Sequence, residues 1–291
     1  MMDTTNRTAL VRRTAFIAGT LATVVLFIPA SPTAQDVGAS PPYPSQTVDY
    51  TSGPLTLRGQ VFKPAGPGPH PAVLFLHGGG DDYTKEVAAV GPLYARNEFV
   101  LFVPFRRGQG LSVGRGEWIN EPLRREFDAN GGPARMRLMA QLLVTEQMDD
   151  VLAALKYLEK QPYVDAKRIA VAGNSFGGIL AVFSAERASG IRAVVASAPA
   201  AQNWARGPEL REKLLSAARN AKVPVFFFQA ANDYNLDPTE KLAAEMMAAG
   251  KPQVRKIYPA FGMSVEEGHG FGYFGGQVWG SDVFAFLSQV K

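Results

Sequence analysis

Ile169-Ala170-Val171-Ala172-Gly173-Asn174-Ser175-Phe176-Gly177-Gly178 is an apolar run that ends in a Gly-x-Ser-x-Gly and leads into the helical stretch Gly177 to Ala188. The pattern alone is weak, because Gly and Ser are common. Its position between a strand and a helix gives it meaning: a serine in a strained turn needs small residues two before and two after it, so that strand and helix can pass closely. The hydroxyl then stands at a helix N-terminus, where backbone N–H groups face any oxyanion that forms. The bland alternative is a turn in which Ser175 only caps a helix.

Outward from this run, short apolar segments alternate with helical ones, the pattern of a parallel sheet covered on both faces. Strands are expected at Ala72–Leu76, Phe99–Val103, Arg168–Ala172, Ile191–Ala196, Val223–Phe228 and Val254–Tyr258. A hairpin is expected from Thr47–Tyr50 and Leu55–Phe62 around Ser52-Gly53-Pro54. Helices are expected at Thr84–Arg96, Pro133–Glu159, Gly177–Ala188, Pro208–Asn220, Pro238–Ala249 and near Gln277–Val290, with Gly190 and Gly250 as C-caps. Residues 108–132 show no period and read as a short cap or loop insertion in one domain, functional or mobile.

Serine needs a base. Of the three histidines, His70 lies between two prolines and reads as a surface residue, and His77 ends a strand. His269 alone lies beyond the serine, in a glycine-rich loop spanning Gly262 to Gly276, and is the expected base. The carboxylate that orients it follows the strand Val223–Phe228. Asp237 precedes Pro238 and stands three before Glu240, so it reads as an N-cap. Asp233 is left for the orienting role, with Glu266 and Glu267 as distant alternatives. The expected oxyanion donors are the N–H of Phe176 and one from Gly78, Gly79 or Gly80. A phosphate-cradling loop is the competing reading of those glycines, but no Gly-Lys-Ser/Thr follows them.

Composition removes other chemistries. The 291 residues include no Cys and three His. Disulfides, cysteine-ligated metals and a thiol nucleophile are excluded, and neither a metal site nor a cofactor is expected. A hydrophobic share of 46% against 19% charged describes a foldable core. The net charge of +4 falls to +2 once residues 1–34 are set aside, and no basic tract remains for nucleic acid. Those residues place Arg7, Arg12 and Arg13 before an apolar stretch from Ala15 to Pro29 and small residues through Ala34, the layout of an export signal. The expected organisation is a signal peptide at 1–34, a linker at 35–45 and a catalytic domain at 46–291, exported after cleavage. An uncleaved anchor at 15–29 is the alternative.

His77-Gly78-Gly79-Gly80, Gly173-x-Ser175-x-Gly177-Gly178, Asp233 and His269, in that order, resemble the α/β-hydrolase superfamily. Asp150-Val151-Leu152-Ala153-Ala154-Leu155, Val164-Asp165, Arg168-Ile169-Ala170-Val171 and Arg107-Gly108-Gln109-Gly110-Leu111-Ser112 are similar to its dienelactone-hydrolase and prolyl-oligopeptidase-like branch. The resemblance implies a mostly parallel, twisted sheet of about eight strands with helices on both faces. It also implies a small serine esterase acting on a small-molecule ester without a cofactor. Dienelactone hydrolases proper carry cysteine where this chain has Ser175, and oligopeptidases carry a propeller for which residues before 72 leave no room. A peptidase or amidase with the same machinery and a non-catalytic binding protein on the same scaffold are the rival readings. Phe105, Trp118, Phe176, Trp204, Phe271 and Tyr273 could wall an apolar acyl pocket or belong to the core, and Arg106 and Arg107 could hold a substrate carboxylate or form a solvated turn.

Overall fold

The computed structural model describes residues 43–289. The export segment expected at 1–34 and most of the linker lie outside them. Eight strands, β1 (Gln46–Ser52), β2 (Leu55–Phe62), β3 (His70–Leu76), β4 (Val100–Pro104), β5 (Val164–Asn174), β6 (Ile191–Ser197), β7 (Val225–Ala230) and β8 (Gln253–Tyr258), form one sheet in the order β1-β2-β4-β3-β5-β6-β7-β8. The hairpin β1–β2 and the β2–β4 pair are antiparallel, and every other pair is parallel.

The parallel strands are apolar on both faces because both faces are covered. Along β3, Leu74 and Leu76 enter one core while Val73 and Phe75 enter the other; Ile169 and Val171 alternate with Ala170 and Ala172 along β5 in the same way. This period of two is the pleat of the strand. Helices α1 (Thr84–Arg96) and α9 (Gly276–Gln289) pack on one face. The other is covered by α2 (Asn120–Val144), α3 (Glu146–Glu159), α4 (Phe176–Arg187), α5 (Pro208–Arg219) and α6 (Asp237–Ala248). The chain leaves β3 toward β4 on one side and returns to β5 on the other. The carboxyl ends of β3 and β5 therefore flank a crevice where ligands bind in open α/β sheets.

Two expected elements differ from the structure. The helix expected at Pro133–Glu159 is two helices, parted at Thr145 (φ −115°, ψ −107°). The break leaves the last α2 carbonyls without intrahelical partners, and side chains take them: Arg187 Nη1 donates to Val144 O at 2.7 Å and Thr145 Oγ1 to Gln141 O at 3.0 Å. The stretch at 108–132, read as aperiodic, holds a 3-10 turn at Gly110–Ser112 and then the first half of α2, which kinks at Gly131 (φ 78°). Only Leu123 is buried in that half, so it carries no apolar stripe to read. The glycine-rich loop expected at 262–276 contains two short helices, α7 (Val265–His269) and α8 (Phe271–Phe274).

A buried carboxylate ties the hairpin to the insertion. Asp150 on α3 accepts from Ser52 Oγ at 2.6 Å and from Arg107 through its backbone N–H and Nε at 3.0 Å and Nη2 at 2.8 Å. Arg107 also reaches Glu146 at 3.3 Å. Its charge is thus satisfied within the fold, which removes it as a substrate ligand. Asp150→Ala leaves the guanidinium without its buried partner and is expected to cost about 3 kcal/mol or more. A urea midpoint that falls at unchanged slope is the measurement.

Candidate active site

The turn after β5 is held by contact. A Cβ on Gly177 would overlap the carbonyl of Leu76 at the end of β3, and one on Gly173 would overlap the Gly177 carbonyl. No other residue fits where strand and helix pass so closely. Ser175 between them has φ 59° and ψ −116°, a backbone that costs a non-glycine residue on the order of 1–3 kcal/mol. Its N–H donates to Ser197 O at 3.0 Å, and its carbonyl accepts from Ile179 in the first turn of α4.

His269 ends α7 and joins the other two residues. Its Nε2 lies 2.8 Å from Ser175 Oγ and its Nδ1 lies 2.8 Å from Asp233 Oδ1. The Asp233 side chain is fully buried. Its Oδ2 accepts from Gln229 Nε2 at 2.8 Å and its Oδ1 from the Tyr234 N–H at 2.6 Å, so the carboxylate is fixed before it meets the imidazole. The Tyr234 ring stands edge-on to the imidazole at 5.2 Å. Asp237 is exposed and opens α6 without capping it; Asn235 Oδ1 accepts the Asp237 N–H instead, at 2.9 Å. Of the alternative carboxylates, Glu266 accepts from the Tyr234 hydroxyl and Glu267 closes a capping box with Ser264 at the start of α7.

The segment that carries His269 is pinned by Asn232. Its Nδ2 donates to Phe261 O at 3.0 Å and Ser264 O at 2.8 Å, and its Oδ1 accepts the Phe261 N–H at 2.9 Å. Asn174 Nδ2 adds a bond of 3.2 Å to His269 O. Neither asparagine carries a motif, and both went unread in the sequence. The Ser264-x-x-Glu267 spacing was a legible helix start that the glycines around it concealed.

Each backbone polar group from His77 O to Gly80 O can be followed to a partner, with one exception. Gly78 N–H donates to Tyr273 Oη at 2.9 Å, and Gly80 N–H to Tyr83 Oη at 2.7 Å. The carbonyls of His77 and Gly78 accept from Arg106 at 3.0 and 2.7 Å, that of Gly79 from Asn120 at 3.4 Å, and that of Gly80 from Gln109 at 2.5 Å. Only the Gly79 N–H has no partner among the described residues. Its Cα lies against Phe176, since a Cβ there would stand 3.6 Å from the Phe176 ring. The Phe176 N–H, first in α4, likewise has no acceptor within the helix.

Ser175 and His269 open on a cleft of about 560 Å³ lined in part by Trp118, Phe176 and Tyr273. Phe105, Trp204 and Phe271 do not line it: each is buried, Trp204 in one core and Phe105 and Phe271 in the other. Arg106 is fully buried beneath the glycine loop, out of a substrate's reach, because its guanidinium is engaged by backbone carbonyls and Gln147. Beside Trp118, Phe176 and Tyr273 the cleft carries Glu86, Arg135, Gln202, Asn203 and Arg206. His77 is sandwiched between Tyr83 and Phe105, its pKa pushed well down by burial and by Arg106, so it is neutral. His70 opens β3, at the end of the sheet away from Ser175. Among the described residues no group of three or more His, Asp or Glu side chains is placed to hold a metal, and no helix is long and apolar enough to cross a membrane.

The family model of the dienelactone hydrolase family matches residues 57–273. The chain belongs to the dienelactone hydrolase family. A curated relative, the uncharacterized peptidase YtmA of Bacillus subtilis (strain 168), is 29% identical over 153 residues, 50% of this chain and 48% of that protein. The chain thus spans about half the length of the curated relative it matches. Among solved structures, the acylaminoacyl peptidase of Pyrococcus horikoshii superposes with a TM-score of 0.60 at 18% identity, over 84% of this chain and 41% of that one. A hyperthermophilic esterase from Pyrobaculum calidifontis gives 0.59 at 19% identity, over 85% and 87%. At these identities the likeness is one of fold.

Asn232→Ala removes three hydrogen bonds from the segment that carries His269. The amides of residues 261–269 are expected to exchange at least tenfold faster in hydrogen–deuterium exchange, while those of the β3–β5 centre stay protected.

Proposed function

We propose that this member of the dienelactone hydrolase family is a serine hydrolase that cleaves carboxylic esters through an acyl-enzyme. The observation that carries the reading is His269, whose two ring nitrogens each lie 2.8 Å from a partner, Ser175 on one side and Asp233 on the other. His269 Nε2 takes the Ser175 proton as Oγ attacks the acyl carbon, and Asp233 holds the tautomer that leaves Nε2 free to accept it. The oxyanion of the tetrahedral intermediate is held by the N–H groups of Gly79 and Phe176, the two donors at the turn without partners among the described residues. The protonated imidazole gives its proton to the leaving alkoxide, and water, deprotonated by the same nitrogen, releases the acid.

A second reading, an amidase or peptidase, is favoured by the lining of the cleft. Charged and amide side chains on Arg135, Arg206, Gln202 and Asn203 suit polar acyl groups better than apolar ones. The peptidase named among the curated relatives points the same way. Esters need less help at the leaving group, so turnover of short p-nitrophenyl esters is expected to exceed that of aminoacyl anilides; the reverse order assigns the peptidase reading. Binding without turnover of either class, in folded protein, supports the non-catalytic reading. The layout of residues 1–34 favours export, and the N-terminal sequence of protein recovered outside the cytoplasm checks it.

A fluorophosphonate is expected to label Ser175 and no other residue, as read by peptide mapping. Ser175→Ala and His269→Ala are expected to lower kcat by about 10⁴-fold or more, and Asp233→Asn by roughly 10³- to 10⁴-fold. Active protein in which Ser175 stays unlabelled refutes the assignment.

A further inference from the structure

We infer that Arg106 is a positioning residue for the reaction: a buried cation that aims and polarises the oxyanion hole from behind. The inference rests on the serine-hydrolase reading of the site.

The guanidinium of Arg106 is fully buried, and no carboxylate accepts from it among the described residues. Asp150, the nearest candidate by sequence context, is bound by Arg107 instead. Burying a charge without a counter-ion is costly, and burial draws the Arg106 pKa down to about 10. A merely structural tether for the glycine loop could have been neutral, so the retained charge asks for a reason.

Its contacts supply one. Nη2 donates to the Gly78 carbonyl at 2.7 Å and Nη1 to the His77 carbonyl at 3.0 Å, while Nε is steadied by Gln147 Oε1 at 3.1 Å. In a trans peptide the carbonyl and the N–H of one unit point in opposite directions. Fixing the Gly78 carbonyl on Arg106 therefore turns the N–H of Gly79 away from Arg106, and this is the one N–H of the loop that no group among the described residues takes. The same cation polarises that peptide, which strengthens its N–H as a donor when an oxyanion forms. The guanidinium carbon also lies 5.0 Å from the centre of the Phe176 ring, beside the residue that supplies the other donor. One side chain thus touches both halves of the oxyanion hole without reaching the substrate.

Three variants separate this role from a structural one. Arg106→Met removes the charge, Arg106→Lys keeps it, and Gln147→Glu leaves the guanidinium in place but pairs its charge with a carboxylate. Each is measured with a neutral p-nitrophenyl ester and with a trifluoromethyl ketone, whose adduct on serine carries the oxyanion. Arg106→Met is expected to lower kcat roughly 10- to 100-fold, less than loss of a donor outright, and to weaken the ketone in proportion, with KM within about threefold of the wild type. Arg106→Lys is expected to restore most of the loss. Gln147→Glu is expected to lower kcat about tenfold at unchanged KM, and it keeps the test open where Arg106→Met fails to fold. Folded Arg106→Met with unchanged kcat and ketone affinity, Arg106→Lys as slow as Arg106→Met, or Gln147→Glu at full kcat overturns the proposal. So does a KM that rises only for carboxylate-bearing esters. Ser175→Ala runs alongside: turnover that survives it overturns the serine reading and this role together, whereas turnover lost there but intact in Arg106→Met overturns the role of Arg106 alone.

Discussion

The contact between Gly177 and the carbonyl of Leu76 governs the molecule. Helix α4 crosses the end of β3 with no room for a methyl group, and this closeness has two consequences. It forces the reversal between β5 and α4 into the strained backbone of Ser175, so the hydroxyl leaves the sheet at its carboxyl edge rather than packing under the helix. It also places the residues that follow Leu76, His77 through Gly80, beside the N-terminus of α4. Ser175 and the glycine loop are neighbours because β3 and β5 are neighbours, and the pairing of those strands, from Ala72 opposite Ile169 to Leu76 opposite Gly173, fixes their register. The strain at Ser175 is sustained by burial on both faces of the sheet, where two cores leave the central strands no freedom to relax.

The loops around that contact are irregular, and each is made definite by side chains that satisfy its backbone. The glycine loop has Tyr273, Tyr83, Gln109, Asn120 and Arg106 as partners, and the segment before His269 has Asn232. A loop whose polar groups are all occupied has one conformation, because any other would leave a donor or acceptor unmet away from water. The group left over is then the informative one. In the glycine loop it is the N–H of Gly79, and its isolation follows from the two tyrosines that take the N–H groups on either side.

Much of this fold was legible because the signals were local and repeated. Apolar runs of five or six residues between turn residues gave the central strands within a residue or two at most ends, and the first helix was read at its observed bounds, Thr84–Arg96. Ser175, His269 and Asp233 came from a motif, from the scarcity of histidine and from the elimination of Asp237, although Asp237 does not cap α6 as that elimination supposed. The insertion was illegible because its helix turns almost no apolar face to the core before Gly131. The six aromatic residues stayed open between cleft wall and core for a related reason, and Trp118, Phe176 and Tyr273 line the cleft. Aromatic residues near a motif are placed by the core as readily as by a ligand, and Phe105, Trp204 and Phe271 were claimed by the core. Arg106 and Arg107 are adjacent in sequence and both satisfied inside the fold, one by carbonyls and one by Asp150, a distinction that only tertiary contacts create.

The cleft that results combines aromatic residues with charged and amide side chains, and this bears on what it can select. An apolar acyl chain gains roughly 25 cal/mol for each Å² it removes from water. That gain is offset if the chain also strips water from Arg135, Arg206, Gln202 and Asn203 without replacing their hydrogen bonds. An acyl group that carries its own donors and acceptors has no such penalty, and its binding would order the same side chains. Glu86, which lines the cleft from α1, sets a further condition. Burial raises the pKa of Tyr83 and Tyr273, the hydroxyls that hold the glycine loop, and the field of Glu86 adds to that rise, so a negative charge already acts on the loop. A positive charge behind the loop offsets it, and Arg106 is that charge. The polar lining, the acidic residue on α1 and the buried arginine therefore bear on one glycine loop, in which the Gly79 N–H alone has no partner among the described residues.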